Sequence, residues 1–406
     1  MKTVFEFIKK TTNRELFFTL LNQAVLSLGA VAVVVVLSNL LSAEVFGKTR
    51  FLASVLAIAA FFSLPGLGPV ILSRMSTYSQ DEFKHSLLTQ LRWGAGASMG
   101  AFFFGIIFYL QHDYDLAWGF FLSGMLAPLA NLYLIPGLAL AGLKRFKEKF
   151  WYDTVVLGAI IAGATFGAWH VGTVAGTMIW YFSFQSTATL ILLWLVMRRL
   201  PKEVSGSEVS GLDTVYGKQL TLFQLPFTLL PALEKALVFF LLGPIALAVY
   251  VVITLPIEHA RGAFRSFLQF SALPHLTRDD ERSQQLRNWF YISILVSVGI
   301  VLSVCFFAYV LLPILFSDYL EAQPLIYLSS LAALFLPAQV YVLGFIAKRS
   351  VNRLFSYATA SFVSDVLFLV FLTTLFGLLG AVLAKVLTSL MSSIIVLVLN
   401  RTNVDK

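Results

Sequence analysis

Long apolar runs, separated by short polar connections, follow one another along the whole chain. The first run covers residues 16–41, and a helix needs about 20 apolar residues to cross a hydrocarbon core roughly 30 Å thick. About twelve runs reach that length. Their spacing predicts an all-α, polytopic membrane protein with about twelve transmembrane helices.

The composition supports this prediction. Of the 406 residues, 58% are hydrophobic and 12% are charged, and the mean hydropathy is +0.84. A soluble domain is roughly 45–50% apolar and about 25% charged. The first run is longer than the core of a signal peptide, which has about 7–15 residues, so we expect it to remain as a membrane anchor. The single cysteine, Cys305, excludes an intramolecular disulfide.

Basic residues alternate with the apolar runs. Every second connection carries lysine and arginine, as at Lys144 and Arg145, and the connections between them carry none apart from Lys48 and Arg50 after the first run. By the positive-inside rule, the basic connections and both termini are predicted to be cytoplasmic, in an inner (plasma) membrane. The net charge of +8 then reflects topology, and we expect no nucleic-acid partner.

A polar segment, residues 201–217, divides the chain at its middle. Its sequence, PKEVSGSEVSGLDTVYG, has the glycine and serine content of a flexible linker. The two halves match in order, for example at Tyr114 and Tyr319 before two basic exits. We therefore predict a six-helix bundle over residues 1–200, a cytoplasmic linker over 201–217 and a pseudo-symmetric six-helix bundle over 218–406, related as parallel repeats.

Charged residues interrupt the eighth run, within the stretch LPIEHARGAFRSFLQF. At about 100° per residue, its polar side chains fall on a face about 80° wide, and His259 lies off that face. This polar face consists of Thr254, Glu258, Arg261, Arg265 and Gln269. A charge at mid-bilayer costs about 2.5–3.5 kcal/mol on insertion scales, so the face must meet partners or water.

Two interpretations of the polar face stay open. In the first, Glu258 pairs with Arg261 and the face seals against a neighbouring helix. In the second, the two arginines exceed the single glutamate, and the surplus arginine binds an anionic headgroup. A guanidinium suits phosphate because its planar donors can bind two oxygens at once and stay protonated.

The seventh run also has a polar side. It consists of Thr221, Gln224, Thr228 and Lys235. Pro226 and Pro231 are expected to bend this helix. Glu234 points about 100° away from the polar side, where we expect it to pair with the end of the eighth run.

Further ionisable residues lie in the last runs. Asp365 in the eleventh run and Lys385 in the twelfth have similar depths. Two interpretations stay open here as well: the two residues form a structural ion pair, or Asp365 couples transport to an ion. His259 is a candidate proton carrier, because the charge of histidine changes near neutral pH.

Several stretches carry a family resemblance. They are LLSAEVFGKTRFLASVLAIAAFFSLPGLGPVILSRMS, the pair Glu234 and Lys235 before FFLLGPIALAVYVV, LPHLTRDDE, and KRSVNRLFSYA. With two bundles of six helices, the chain resembles the Wzx-type oligosaccharide flippases of the MATE/MOP exporter superfamily, which also holds the lipid II flippases. The resemblance covers nearly the whole chain, and its motifs are diffuse.

The resemblance implies a function. The chain is expected to translocate polyprenyl (undecaprenyl)-pyrophosphate-linked oligosaccharide to the outer leaflet, for cell-surface polysaccharide such as the O-antigen of lipopolysaccharide. Alternating access is expected through a central cationic cavity walled by the first, second, seventh and eighth spans. The expected substrate-binding residues are Arg261, Arg265, Lys235, Glu258, Gln269, Gln224, Thr228 and Asn22. The candidates for ion coupling are Asp365, Lys385, Glu234 and His259.

Partners and cofactors follow from the same resemblance. The expected partners are the lipid-linked glycan, the bilayer, and polysaccharide polymerase and chain-length machinery, with the chain itself a monomer. No cofactor or metal is expected, and coupling to an H+ or Na+ gradient is an open prediction.

Two other function classes stay as alternatives. A MATE-like, cation-coupled exporter of organic cations requires an acidic, aromatic-lined cavity, whereas the polar face is net cationic. A membrane polysaccharide polymerase or ligase typically carries a large outer loop, whereas the outer connections here are short. The sequence has no glycine-rich phosphate loop and no Cys/His cluster at metal spacing, so we predict that the chain is not an enzyme.

Overall fold

The computed structural model describes residues 14–75, 80–199, 212–272, 282–348 and 350–401. Those residues form helices and turns without a strand, and ten helices in them are long and apolar enough to cross a membrane. This confirms the prediction of an all-α, polytopic membrane protein.

The count of spans also agrees with the prediction. The longest of the ten candidates, Asn352–Asn400, is interrupted at Gly377, where φ is 58° and ψ is −135°. The helix Leu212–Leu242 adds another 31 residues of continuous helix. Within the described ranges there are therefore twelve helices of membrane-spanning length.

The chain forms two compact units, Met1–Thr228 and Leu229–Lys406. The boundary between them falls inside the helix Leu212–Leu242, which contributes to both units. Most of the predicted linker, residues 200–211, lies outside the described residues. The division into bundles at 201–217 stays a prediction.

The first unit contains eight helices and the start of a ninth among the described residues. They are α1 (Arg14–Leu40), α2 (Ala43–Ala59), α3 (Leu67–Arg74), α4 (Gln80–Leu110), α5 (Tyr114–Ala130), α6 (Leu134–Gly142), α7 (Phe146–His170), α8 (Val174–Met197) and the beginning of α9 (Leu212–Leu242). Two predicted spans are interrupted: Leu64 (φ 55°) turns the chain between α2 and α3, and a 3-10 turn at Asn131–Tyr133 joins α5 to α6.

Gly66 places the bend before α3 directly against α9. Its N–H donates to Thr221 Oγ1 at 2.9 Å, and an added Cβ would lie 2.3 Å from the carbonyl oxygen of Gly217. Thr221 is 2% exposed. The first residue of the polar side predicted for the seventh run is therefore a helix contact within the first unit.

Lys48 and Arg50 lie inside α2, and their assignment to a connection was wrong. The helix begins at Ala43 because the Ser42 hydroxyl accepts a hydrogen bond from the Val45 N–H. Lys48 forms ion pairs with Glu44 at 2.9 Å and with Asp113 at 2.8 Å. These carboxylates compensate the basic residue that departs from the alternating charge pattern.

The second unit begins in α9 and continues through a series of helices and tighter turns. The helices are α10 (Pro244–Ser271), α11 (Arg282–Phe306), α12 (Leu312–Leu315), α13 (Gln323–Ser330), α14 (Gln339–Ala347) and α15 (Val351–Arg401). The turn from α9 to α10 contains Gly243, with φ at 87°, followed by Pro244 in the first helical turn. A left-handed backbone favours glycine, and proline is preset for a helix start.

The apolar side of α10 fixes the orientation of its polar face. Ile257, Phe264 and Leu268 are at most 2% exposed and pack in one cluster with Leu336 and Val340. Burying one such side chain stabilises the folded state by about 1.5–3 kcal/mol when the alternative is exposure to water. The gain is smaller when the alternative is exposure to lipid. The opposite side of α10 then meets α9 and α15, where the other ionisable residues lie.

Candidate functional site

Six ionisable residues of the second unit come together between α9, α10 and α15. We call this group the charged cluster. Its members are Glu234 and Lys235 of α9, Glu258 and Arg261 of α10, and Asp365 and Lys385 of α15. Membrane ionisable residues that face one another in this way avoid the cost of meeting lipid alone.

Lys385 lies at the centre of the charged cluster. Its Nζ is 2.8 Å from both carboxylate oxygens of Glu234 and 3.2 Å from Glu258 Oε1. The side chain is 6% exposed, and the Tyr250 ring centroid lies 5.9 Å from Nζ. The ammonium is therefore enclosed by two carboxylates and one aromatic face.

Glu258 pairs with two lysines and not with Arg261, the partner considered in the first of the two interpretations of the polar face. Its Oε2 accepts from Lys235 Nζ at 3.0 Å, and its Oε1 accepts from Lys385. Arg261 instead donates to the hydroxyl of Ser389. The lysines reach Glu258 from other helices, so the local spacing of Glu258 and Arg261 did not decide the partner.

Glu234 also has a different partner from the one predicted. Its ion pair is with Lys385, in the second half of α15, rather than with the end of the eighth run. The contact that it makes with α10 is a hydrogen bond donated by the Tyr250 hydroxyl. Tyr250 is buried, so its hydroxyl holds the Glu234 carboxylate in position from inside the second unit.

Of the two interpretations of Asp365 and Lys385, the structure does not show the ion pair. No salt bridge joins the two residues in the described part of the chain, because the Lys385 ammonium is held by the two glutamates. Asp365 nevertheless lines the same small cavity as Lys385.

The cavity is suited to water or an ion. Its volume is about 50 Å³, which is enough for a few water molecules. Its polar lining consists of Glu234, Arg261, Asp365, Lys385 and Thr388, and leucines from α9 form much of the remainder. It is too small for a sugar.

The formal charges of the charged cluster balance, and the arginine in excess on the polar face of α10, Arg265, lies outside it. Three carboxylates face two lysines and one arginine. The Nε of Arg261 is buried without a hydrogen-bond partner, so its guanidinium is only partly satisfied. Arg265, one turn further along α10, is exposed and lies outside these ion pairs.

The remaining predicted site residues are Asn22, Gln224, Thr228, His259 and Gln269. Asn22 belongs to the first unit, and His259 is partly buried. The side chains of Gln224, Thr228 and Gln269 lie outside the described part of the structure.

Asn22 takes part in a second polar group, in the first unit, that sequence reasoning missed. Its Nδ2 donates to Asp153 Oδ2 at 2.8 Å, and Lys149 forms an ion pair with the same carboxylate. Asn22 Oδ1 is buried without a partner. The spacing of Lys149 and Asp153, four residues apart on one helix, was the available signal.

Three contributors to the charged cluster also went unnoticed in the sequence. Tyr250 donates to Glu234, Thr388 lines the cavity beside Asp365 and Lys385, and Ser389 accepts the Arg261 bond. Lys385, Thr388 and Ser389 are spaced three and four residues apart, the spacing of neighbours on one helix face. That pattern could have indicated a polar face in the last run.

No protein-family model and no curated protein matches the chain. Several solved structures are similar to the chain. An inward-facing MATE-family multidrug resistance transporter of the MOP superfamily is 12% identical, with a TM-score of 0.65 over 93% of this chain and 96% of the other. The lipid II flippase MurJ, in an inward closed conformation, is 12% identical, with a TM-score of 0.69 over 94% of this chain and 86% of the other.

A MOP superfamily transporter from Pyrococcus furiosus is similar as well. It is 12% identical, with a TM-score of 0.56 over 96% of this chain and 94% of the other. Identities this low establish the fold alone. The chain therefore has the fold of these solved transporters over 93–96% of its length.

Proposed function

We propose that the chain is a flippase that moves a polyprenyl-pyrophosphate-linked oligosaccharide to the outer leaflet by alternating access, for cell-surface polysaccharide synthesis. It shares its fold with a lipid II flippase over 94% of its length. The observation that carries the proposal is the charge arrangement on α10. The partly buried glutamates of the charged cluster are neutralised by lysines, and the positive charge left over on α10 is the exposed Arg265.

Arg265 is the residue best placed to bind a phosphate group. Its guanidinium is exposed, whereas Arg261 and Lys235 are already engaged by Ser389 and Glu258. We therefore assign headgroup binding to Arg265 and assign to Lys235, Glu258 and Arg261 the task of holding α10 in its orientation. Gln224, Thr228, Gln269 and Asn22 remain predicted contacts for the sugars.

The second candidate function is export of an organic cation. Asp365 favours it, because this carboxylate of the cluster has no lysine within ion-pair distance in the described structure. Against it, the two glutamates that would attract a cation are already bound to lysines.

Replacing Arg265 with alanine is expected to lower the rate of flipping at least about tenfold, because a hydrogen bond to a charged group contributes about 1.5–3 kcal/mol. The measurement uses purified protein in vesicles and a fluorescent polyprenyl-pyrophosphate-linked glycan, with quenching of the label left in the outer leaflet. Arg287→Ala is the matched control, because Arg287 is also an exposed arginine. An unchanged rate for Arg265→Ala would contradict the assignment of the headgroup site.

Transport of a cationic dye such as ethidium by the same vesicles, with no movement of the labelled lipid, would reverse the order of the two candidate functions. Synthesis of polymer or of ligated glycan by the purified protein would favour an enzyme instead. The same proposed function implies an inner-membrane location, cytoplasmic termini, and contacts with polymerase and chain-length machinery.

We also propose that Asp365 couples flipping to an H+ or Na+ gradient. It borders a water-sized cavity and lacks a lysine partner among the described residues, and carboxylates within transporters often mark ion pathways. Asp365→Asn is expected to flip lipid at the same rate with and without an imposed gradient. Asp318→Asn, at an exposed position, is the control. Gradient stimulation that survives in Asp365→Asn would remove Asp365 from this role.

A further inference from the structure

The surroundings of the Lys385 ammonium resemble those of a bound metal ion. Three carboxylate oxygens lie within 3.2 Å of Nζ, and they come from two helices other than its own. The face of Tyr250 lies 5.9 Å away, and its hydroxyl donates to Glu234. Oxygen ligands of this kind suit hard cations, and an aromatic face adds to the attraction of a cation.

We propose that the Lys385 ammonium is a tethered cation that fills an alkali-metal site formed by Glu234 and Glu258. In the native chain Lys385 occupies this site, so the two carboxylates do not bind a dissolved cation. A chain without the lysine side chain acquires a site for a monovalent cation such as Na+ or K+.

The charge of the cluster determines which class of cation would bind. Without Lys385, three carboxylates remain with Lys235 and Arg261, which leaves a formal charge of −1. A single monovalent cation restores neutrality, whereas a divalent cation would leave a buried positive charge. Space for such an ion exists beside Lys385, in the cavity of about 50 Å³.

The proposal goes beyond lipid flipping and can fail independently of it, because its test measures ion binding rather than transport. Purified full-length protein is titrated with radioactive Na+, and with radioactive Rb+ in place of K+, at constant ionic strength. Native protein is expected to show no saturable binding that depends on Glu234. Lys385→Ala is expected to bind one cation per chain, and Lys385→Arg, which keeps a tethered cation, is expected to bind none.

Two control variants locate the site. Adding Glu234→Gln to Lys385→Ala is expected to remove the binding, and Lys348→Ala, at an exposed lysine, is expected to behave as native protein. Saturable binding to native protein that disappears in Glu234→Gln would overturn the proposal. So would a folded Lys385→Ala protein that binds neither ion.

The test remains decisive if Lys385→Ala is unstable. The variant is then expected to survive purification in NaCl or KCl, but not in choline chloride at equal ionic strength, since a ligand that binds only the folded state stabilises it. Equal loss of the protein in all three salts would contradict the proposed cation site.

Discussion

Replacing Glu258 with glutamine is expected to abolish transport and to lower the free energy of unfolding by about 3–5 kcal/mol, the usual cost of removing one partner from a buried ion pair. Glu258 accepts from Lys235 at 3.0 Å and from Lys385 at 3.2 Å. A neutral amide leaves the cluster with an excess positive charge. The lysines would then separate, and the junction of α9, α10 and α15 would lose its fixed geometry.

Stability is measured as the fraction of protein that remains monodisperse after heating in detergent, and transport is measured with the labelled lipid in vesicles. Glu321→Gln is the matched control, because Glu321 is exposed outside the cluster. Adding Lys235→Met to Glu258→Gln is expected to recover part of the stability, since it restores charge balance. A Glu258→Gln protein that survives heating as well as Glu321→Gln would refute the role of the cluster.

Replacing Gly380 with alanine is expected to destabilise the second unit by about 3 kcal/mol, the upper range for forcing extra volume into a packed site. An added Cβ would lie 1.8 Å from the carbonyl oxygen of Leu372 and 2.4 Å from its carbon. Those atoms belong to the backbone and cannot rotate away. The turn at Gly377, which divides α15 into two helical halves, would have to open. That opening would move Lys385 relative to Asp365.

Gly299→Ala is the matched control for Gly380→Ala. A Cβ at Gly299, in the middle of α11, would meet no atom within 4 Å, and alanine favours a helix over glycine by about 0.5–1 kcal/mol. The control is therefore expected to be as stable as the native protein or slightly more stable. If Gly380→Ala were as stable as Gly299→Ala in the same heating assay, the close approach at Leu372 would not constrain the turn at Gly377.

Helical periodicity predicted much of the architecture. The apolar runs gave the spans, and the 100° rotation per residue placed Glu258 and Arg261 on one side of α10, where both contribute to the charged cluster. The short turn at Gly377 was also expected, because an apolar pattern long enough for two spans needs a reversal there.

Partners in the charged cluster could not be predicted in the same way. Lys385 is 151 residues from Glu234 and 127 residues from Glu258, so no local spacing relates them. The interpretation in which Glu258 pairs with Arg261 considered only one helix, and the lysines that bind Glu258 lie on two others. Charge balance in a buried cluster is a property of every helix that meets there.

The start of α2 was missed for a different reason. Ser42 followed by Glu44 is a helix-start signal, but the apolar run was taken to begin after the basic residues. Charged side chains near the end of a membrane helix made the helix look like a connection.

The two ion pairs of Lys48 also have an order in time. Glu44 lies one helical turn before Lys48, whereas Asp113 follows it by 65 residues in the chain. At a synthesis rate of roughly 5–20 residues per second, Asp113 leaves the ribosome about 3–13 s after Lys48. During that interval Glu44 is present and Asp113 is not. One of the two carboxylates that compensate this positive charge is therefore made only after α1 to α4.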